Sequence, residues 1–206
     1  MTAQTDVAAY FAANRAQVRG MSFVFALAAL ALLVFVACSA GMLADRTPQR
    51  RSALPGLALG AGTLSAGFWL LTALLMWVLS RPVASADAVL LATMHELAYV
   101  TGGPAHVLFL GVFLGAASAA VWSSSLLPRW VAWTGAVAAV ASTLAALALL
   151  WEPATLLLPV ARGLAMLWIL ATSLALLVGR SGEAMAAGEP SLEGRPADGR
   201  QSDLAA

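Results

Sequence analysis

Residues Met21–Leu43 are 23 consecutive positions without a charged side chain. Four further runs of this kind follow, at about 56–80, 104–123, 130–151 and 159–178, and only the last contains a charged group, Arg162. About 20 apolar residues are what a helix needs to cross the ~30 Å hydrocarbon layer of a bilayer. Inside that layer every backbone polar group must be satisfied within the chain, so runs of this length fold as helices. Composition agrees: 61% of residues are hydrophobic and 10% charged, where an ordinary soluble domain is nearer a quarter charged. The expected fold class is all-α, a membrane helical bundle of five transmembrane helices.

The segments between the runs set the expected boundaries. Residues 1–20 are polar, then weakly amphipathic, with Val7, Tyr10, Phe11 and Val18 able to share a helix face and Asp6 placed as an N-cap. No cleavable signal is evident, because the apolar run from Met21 is too long for one. A short polar loop at 44–54 carries Arg46, Arg50 and Arg51 and ends at Pro55. Between Arg81 and Gly103, AVLLATMHELAYV is too short to span and carries His95 and Glu96 near its centre. It reads as an outer interfacial helix at about 85–100, with Leu90, Leu91, Met94, Leu97 and Ala98 turned to lipid or to the bundle. Gly102-Gly103-Pro104 reads as a loop, with Pro104 in the first turn of the third span. Residues 181–206 mix Gly, Pro, Ser, Ala and acids without apolar periodicity, so a disordered tail is expected there.

Small residues recur at helix-packing spacing. Gly56 and Gly60 are four apart in the second run, and Gly111, Gly115 and Ala119 form a stripe in the third. Such stripes let neighbouring helix backbones approach closely. Trp77, Trp122, Trp130, Trp133 and Trp151 stand near run ends, where aromatic belts form. Trp69 and Trp168 lie deeper and are expected to fill gaps in the bundle.

A small-residue-rich span followed by LLPRWVAWTG, a last span closing on LWILATSLALL, and VAAYFAANRAQVRG ahead of the first apolar run carry a resemblance. Over about residues 7–180 the chain resembles an uncharacterised family of small bacterial multi-pass membrane proteins. The resemblance implies a bacterial cytoplasmic (inner) membrane location. It brings no established activity and no functional residues to carry over. Members often have one more span ahead of the FxxNR segment, which implies a late gene start or a shorter member here.

Arginine placement gives the orientation. With the N-terminus outside, the inner side holds Arg46, Arg50, Arg51, Arg129 and Arg180, against Arg15, Arg19 and Arg81 outside. The expectation is N-terminus out and C-terminus cytoplasmic.

Reactive groups are few. All 11 basic residues are Arg, which excludes a Lys Schiff base and with it a retinal or pyridoxal carrier. Cys38, the single cysteine, cannot form an internal disulfide and reads as a small packing residue. A net charge of +1 suggests no nucleic-acid partner. His95, Glu96, His106, Glu152 and Arg162 fall near the outer face in this topology. The plain role for His106 and Arg162 is to snorkel to water. The sharper role is an outer polar pocket binding an anion or a lipid headgroup, with Arg162 paired to Glu96 or Glu152. No third His or nearby Cys completes a metal set, so neither a metal nor a cofactor is expected. Ser123–Ser125 reads as an interfacial turn rather than a nucleophile.

Three function classes follow. The first is a non-enzymatic packing or accessory protein, partnered by the bilayer and by a second copy or another membrane protein. The second is a small transporter or channel, which a broken span would favour. The third is a membrane enzyme acting on a lipid or quinone at the outer face, with Glu96 and the histidines as acid/base groups.

Overall fold

The computed structural model describes residues 9–46, 53–81, 88–124 and 127–187, of which 88 and 177–187 are described by backbone alone. The helices are α1 (Arg15–Arg46), α2 (Ala53–Leu79), α3 (Ala88–Val100), α4 (His106–Ser124), α5 (Arg129–Ala145) and α6 (Leu157–Ala187). No strand occurs among the described residues. Five helical segments are long and apolar enough to cross a membrane, so the chain is an all-α bundle built from the five apolar runs. The bounds differ modestly from the sequence reading. The first span is continuous with the amphipathic segment before it, from Arg15, and α6 continues past 181 to Ala187. The rest of the expected tail, and the loop arginines Arg50 and Arg51, lie outside the described residues.

One expectation is corrected. Gly102-Gly103-Pro104 is not a loop. It lies in a single π-helical turn, Thr101–Ala105, that joins α3 to α4. The helical segment from Val89 to Ser124 is therefore 36 residues long, about 54 Å at 1.5 Å per residue. The expected interfacial helix is the first half of this segment. The physical reason is that proline in a span does not force an exit from the helix. In lipid a freed backbone group must be satisfied again, and a local π turn does this.

This long segment is the centre of the bundle. Of its most apolar stretch 61% is buried, against 17–33% for the other four spans. α4 packs against α1, α2, α5 and α6, while α1 and α6 scarcely touch each other. Phe113 and Leu114 are fully buried. Phe113 also packs edge-on against Phe35 of α1 (6.3 Å) and Trp168 of α6 (6.1 Å). Trp168 donates from Nε1 to the Val131 carbonyl at 2.8 Å, filling the gap expected of it. Gly135 makes room for that indole: a Cβ there would run into Trp168 and Ser118.

The small-residue faces divide. At Gly111 a Cβ would stand 2.8 Å from the Ser142 Cβ and 3.2 Å from the Ala139 carbonyl, so α4 and α5 meet there backbone to backbone. Gly115 has ordinary room, 3.6 Å from the Ala139 Cβ, and Ala119 is half-buried. Gly56 and Gly60 have nothing within 4 Å, so the expected packing face on α2 is not used within the chain. Gly62 takes that part, closing on Val36 and Phe113.

At the end of the bundle where α1 begins, Phe11, Val18, Leu79, Leu91 and Ala98 form a second buried cluster. Trp77 is exposed there with the Arg81 guanidinium 5.0 Å from its ring. At the opposite end Trp122, Trp130 and Trp133 are exposed, and Trp122 meets Trp133 edge-on at 4.9 Å. Both placements suit aromatic belts.

Candidate functional site

The site is built around the π turn. In an α-helix the Gly102 carbonyl would receive the His106 N–H. Here that N–H is directed to Thr101 and Gly103. The Gly102 carbonyl instead accepts a hydrogen bond from the Arg162 guanidinium of α6. Thr101 Oγ1 is hydrogen-bonded to the Leu97 carbonyl at 2.8 Å and lies 3.0 Å from Thr72 Oγ1 of α2. Gly102 has to be glycine, since a Cβ would meet Thr72 at 2.7 Å.

His106 follows the turn and is fully buried. Its Nδ1 lies 3.0 Å from the Ser65 carbonyl and 2.8 Å from Ser65 Oγ, while Ser65 Oγ donates to the His106 carbonyl at 3.0 Å. A carbonyl can only accept, and the hydroxyl proton is already used. Nδ1 therefore carries the proton and donates to Ser65, which leaves Nε2 as a bare acceptor. The Trp69 ring stands edge-on to the imidazole at 4.2 Å, and its other neighbours are Phe25 at 5.8 Å and the Arg162 guanidinium at 5.3 Å. Ser65, Trp69 and Thr72 are spaced four and three apart on α2, so they share the helix face turned to the break.

Two cavities meet at this cluster. One, of about 430 Å³, lies toward the start of α6 between Tyr99, Gly102, Thr155 and Pro159. The other, of about 240 Å³, lies between α1 and α6 and is walled mainly by apolar side chains such as Leu32, Phe35, Leu110 and Ile169. Trp69 and Arg162 line both. Ala28, Ala31 and Met166 in the wall of the second are exposed, so it opens sideways where α1 and α6 stand apart.

Six buried side-chain polar atoms lack a hydrogen-bond partner among the described residues, and three converge here: Trp69 Nε1, His106 Nε2 and Arg162 Nε. Buried polar groups are nearly always satisfied, so this concentration marks the site. Arg162 is held by a carbonyl and a ring face, and neither is a carboxylate.

The expected outer cluster is thus only partly assembled. His106 and Arg162 come together. His106 is in the middle of a 36-residue helical segment, and Arg162 lies in the second turn of α6, beyond the 3-10 turn Glu152–Leu156. Glu96 and Glu152 are exposed and line neither cavity, which corrects the expected pairing with Arg162. His95 is half-buried against Phe11 at 5.8 Å. Being near Arg162 in sequence does not bring Glu152 to it, because Glu152 opens the 3-10 turn ahead of α6 and is exposed. No group of three or more His, Cys, Asp or Glu side chains able to hold a metal occurs among the described residues. The site residues that sequence reasoning missed are Ser65, Trp69 and Thr72; their spacing puts them on one face of α2 but does not say what that face meets.

Comparison with models of protein families, with curated proteins and with solved structures finds no match for this chain.

Proposed function

We propose that this chain is a multi-pass protein of the bacterial cytoplasmic membrane, with its N-terminus outside, that binds an amphipathic molecule carrying an anionic group. The anion sits at Arg162 and the apolar part lies in the sideways-opening cavity between α1 and α6. The observation that carries this reading is Arg162 itself: among the described residues a cation without a carboxylate partner, its Nε unpartnered, in the wall shared by two cavities. An arginine inside a span is costly to insert, and such residues mark binding sites or pathways. Binding is favoured over the lipid- or quinone-directed acid/base reading because Glu96 is exposed and lines neither cavity. The arginine distribution and the resemblance to small bacterial multi-pass proteins support the location.

The test is thermal unfolding in a mild detergent with decyl phosphate or decanol added. The phosphate raises the midpoint in the wild type and not in Arg162→Gln, while decanol raises neither. Equal shifts from both amphiphiles would overturn the reading.

A specific observation favours transport as the use of this site. Single π turns inside helices are frequent at functional sites, and the π turn at Thr101–Ala105 lies inside a span beside the cavities. Uptake of decyl phosphate into protein-loaded liposomes at the rate of empty ones would refute transport and leave binding intact.

A further inference from the structure

The two heads of this site are chemically unlike, and the difference specifies the ligand. Arg162 Nε and Trp69 Nε1 can only donate. His106 Nε2 can only accept, because Ser65 fixes the proton on Nδ1. All three atoms are buried and unpartnered among the described residues, and Trp69 touches both other groups, the imidazole edge-to-face and the guanidinium over its ring. A ligand that offered only acceptor oxygens would satisfy Arg162 and Trp69 and leave the histidine lone pair bare. A neutral alcohol would satisfy His106 and leave the arginine charge uncompensated. Each buried atom left unpaired costs affinity.

We infer that the head group of the ligand carries an O–H donor beside its anionic oxygens, the hydroxyl donating to His106 Nε2 and the anion lying against Arg162 and Trp69. The ligand class is a hydroxyl-bearing anionic lipid, such as a glycerophosphate diester with free hydroxyls. The apolar cavity of about 240 Å³ between α1 and α6, lined by His106 and Arg162 together, takes the start of an acyl chain. The inference rests on the reading of Arg162 as the anion-binding residue and adds the part played by His106. His106 is then a specificity residue: it selects among anions rather than attracting them.

The experiment titrates detergent-solubilised full chain with three short-chain lipids of equal acyl length. Phosphatidylglycerol has one negative charge and two hydroxyls. Phosphatidylmethanol has the same charge and no hydroxyl. Diacylglycerol has a hydroxyl and no charge. In the wild type phosphatidylglycerol should bind about three- to tenfold more tightly than phosphatidylmethanol, the worth of one buried hydrogen bond. His106→Phe keeps a ring against Trp69 and should bring that ratio to one while both anionic lipids still bind. Diacylglycerol should bind far more weakly than either. The wild-type ratio needs no variant, so a His106→Phe chain that failed to fold would leave the test intact. Equal wild-type affinity for the two anionic lipids, with both lost in Arg162→Gln, would overturn this inference alone. A preference for the hydroxyl that survives in His106→Phe would do the same. Binding of the anionic lipids that is indifferent to Arg162 would overturn the underlying reading as well.

Discussion

Replacing Gly111 by alanine tests whether α4 and α5 touch as closely as the structure requires. The new Cβ would stand 2.8 Å from the Ser142 Cβ, 3.2 Å from the Ala139 carbonyl oxygen and 3.4 Å from the Thr143 nitrogen. Two of those three atoms are backbone and cannot swing aside. Ordinary contact begins at about 3.4 Å, so the helices must separate by roughly half an ångström or more. Overpacking of this kind costs about 1–3 kcal/mol. The substitution also removes a helical glycine, a gain of about 0.5–1 kcal/mol. The net expectation is a loss of about 1–2 kcal/mol. Gly115→Ala is the internal control, since its Cβ would sit 3.6 Å from the Ala139 Cβ in ordinary contact. There only the helix gain remains, and stability should hold or rise. The assay is reversible unfolding in mixed micelles, followed by far-UV circular dichroism. A Gly111→Ala chain as stable as Gly115→Ala would refute the close α4–α5 approach.

Gly56→Leu and Gly60→Leu should each leave unfolding within about 0.5 kcal/mol of wild type, because nothing lies within 4 Å of either glycine; a large loss in a monomeric preparation would mean that α2 packs differently. Trp168→Phe should lose about 0.5–1.5 kcal/mol for the bond to the Val131 carbonyl, with more for the vacated volume beside Phe113; unchanged melting would place that indole elsewhere. In a Cys38→Ala background, Gln4→Cys should react with an impermeant thiol reagent in intact cells and Ala186→Cys should not; the reverse pattern would invert the topology.

The spans are legible because an uncharged run of 20 or more residues has one common answer in a bilayer, and residues such as Met21–Leu43 leave no competing pattern. The long third segment was not legible in the same way. Gly-Gly-Pro stops a helix in water, where the freed backbone groups find solvent. Here Thr101 turns its hydroxyl back to Leu97 and Arg162 reaches the Gly102 carbonyl from another helix. The second of these is a contact across 60 residues, which no local pattern records. His106 and Arg162 could be singled out as polar groups inside apolar runs, but their shared neighbour could not, because Trp69 looks like any aromatic in a span. The glycine faces show the same limit: the small-xxx-small spacing selects Gly56 and Gly60, whereas the tertiary fold turns Gly62 inward against Val36. Spacing tells which residues share a face and not which face meets a neighbour.

Native mass spectrometry of the chain extracted in mild detergent reads directly whether Arg162 holds an anionic amphiphile between α1 and α6. The wild type should retain one anionic lipid through gentle activation, and Arg162→Gln should lose it. A wild-type chain that emerges bare, or a retained lipid that is unchanged in Arg162→Gln, would contradict the account.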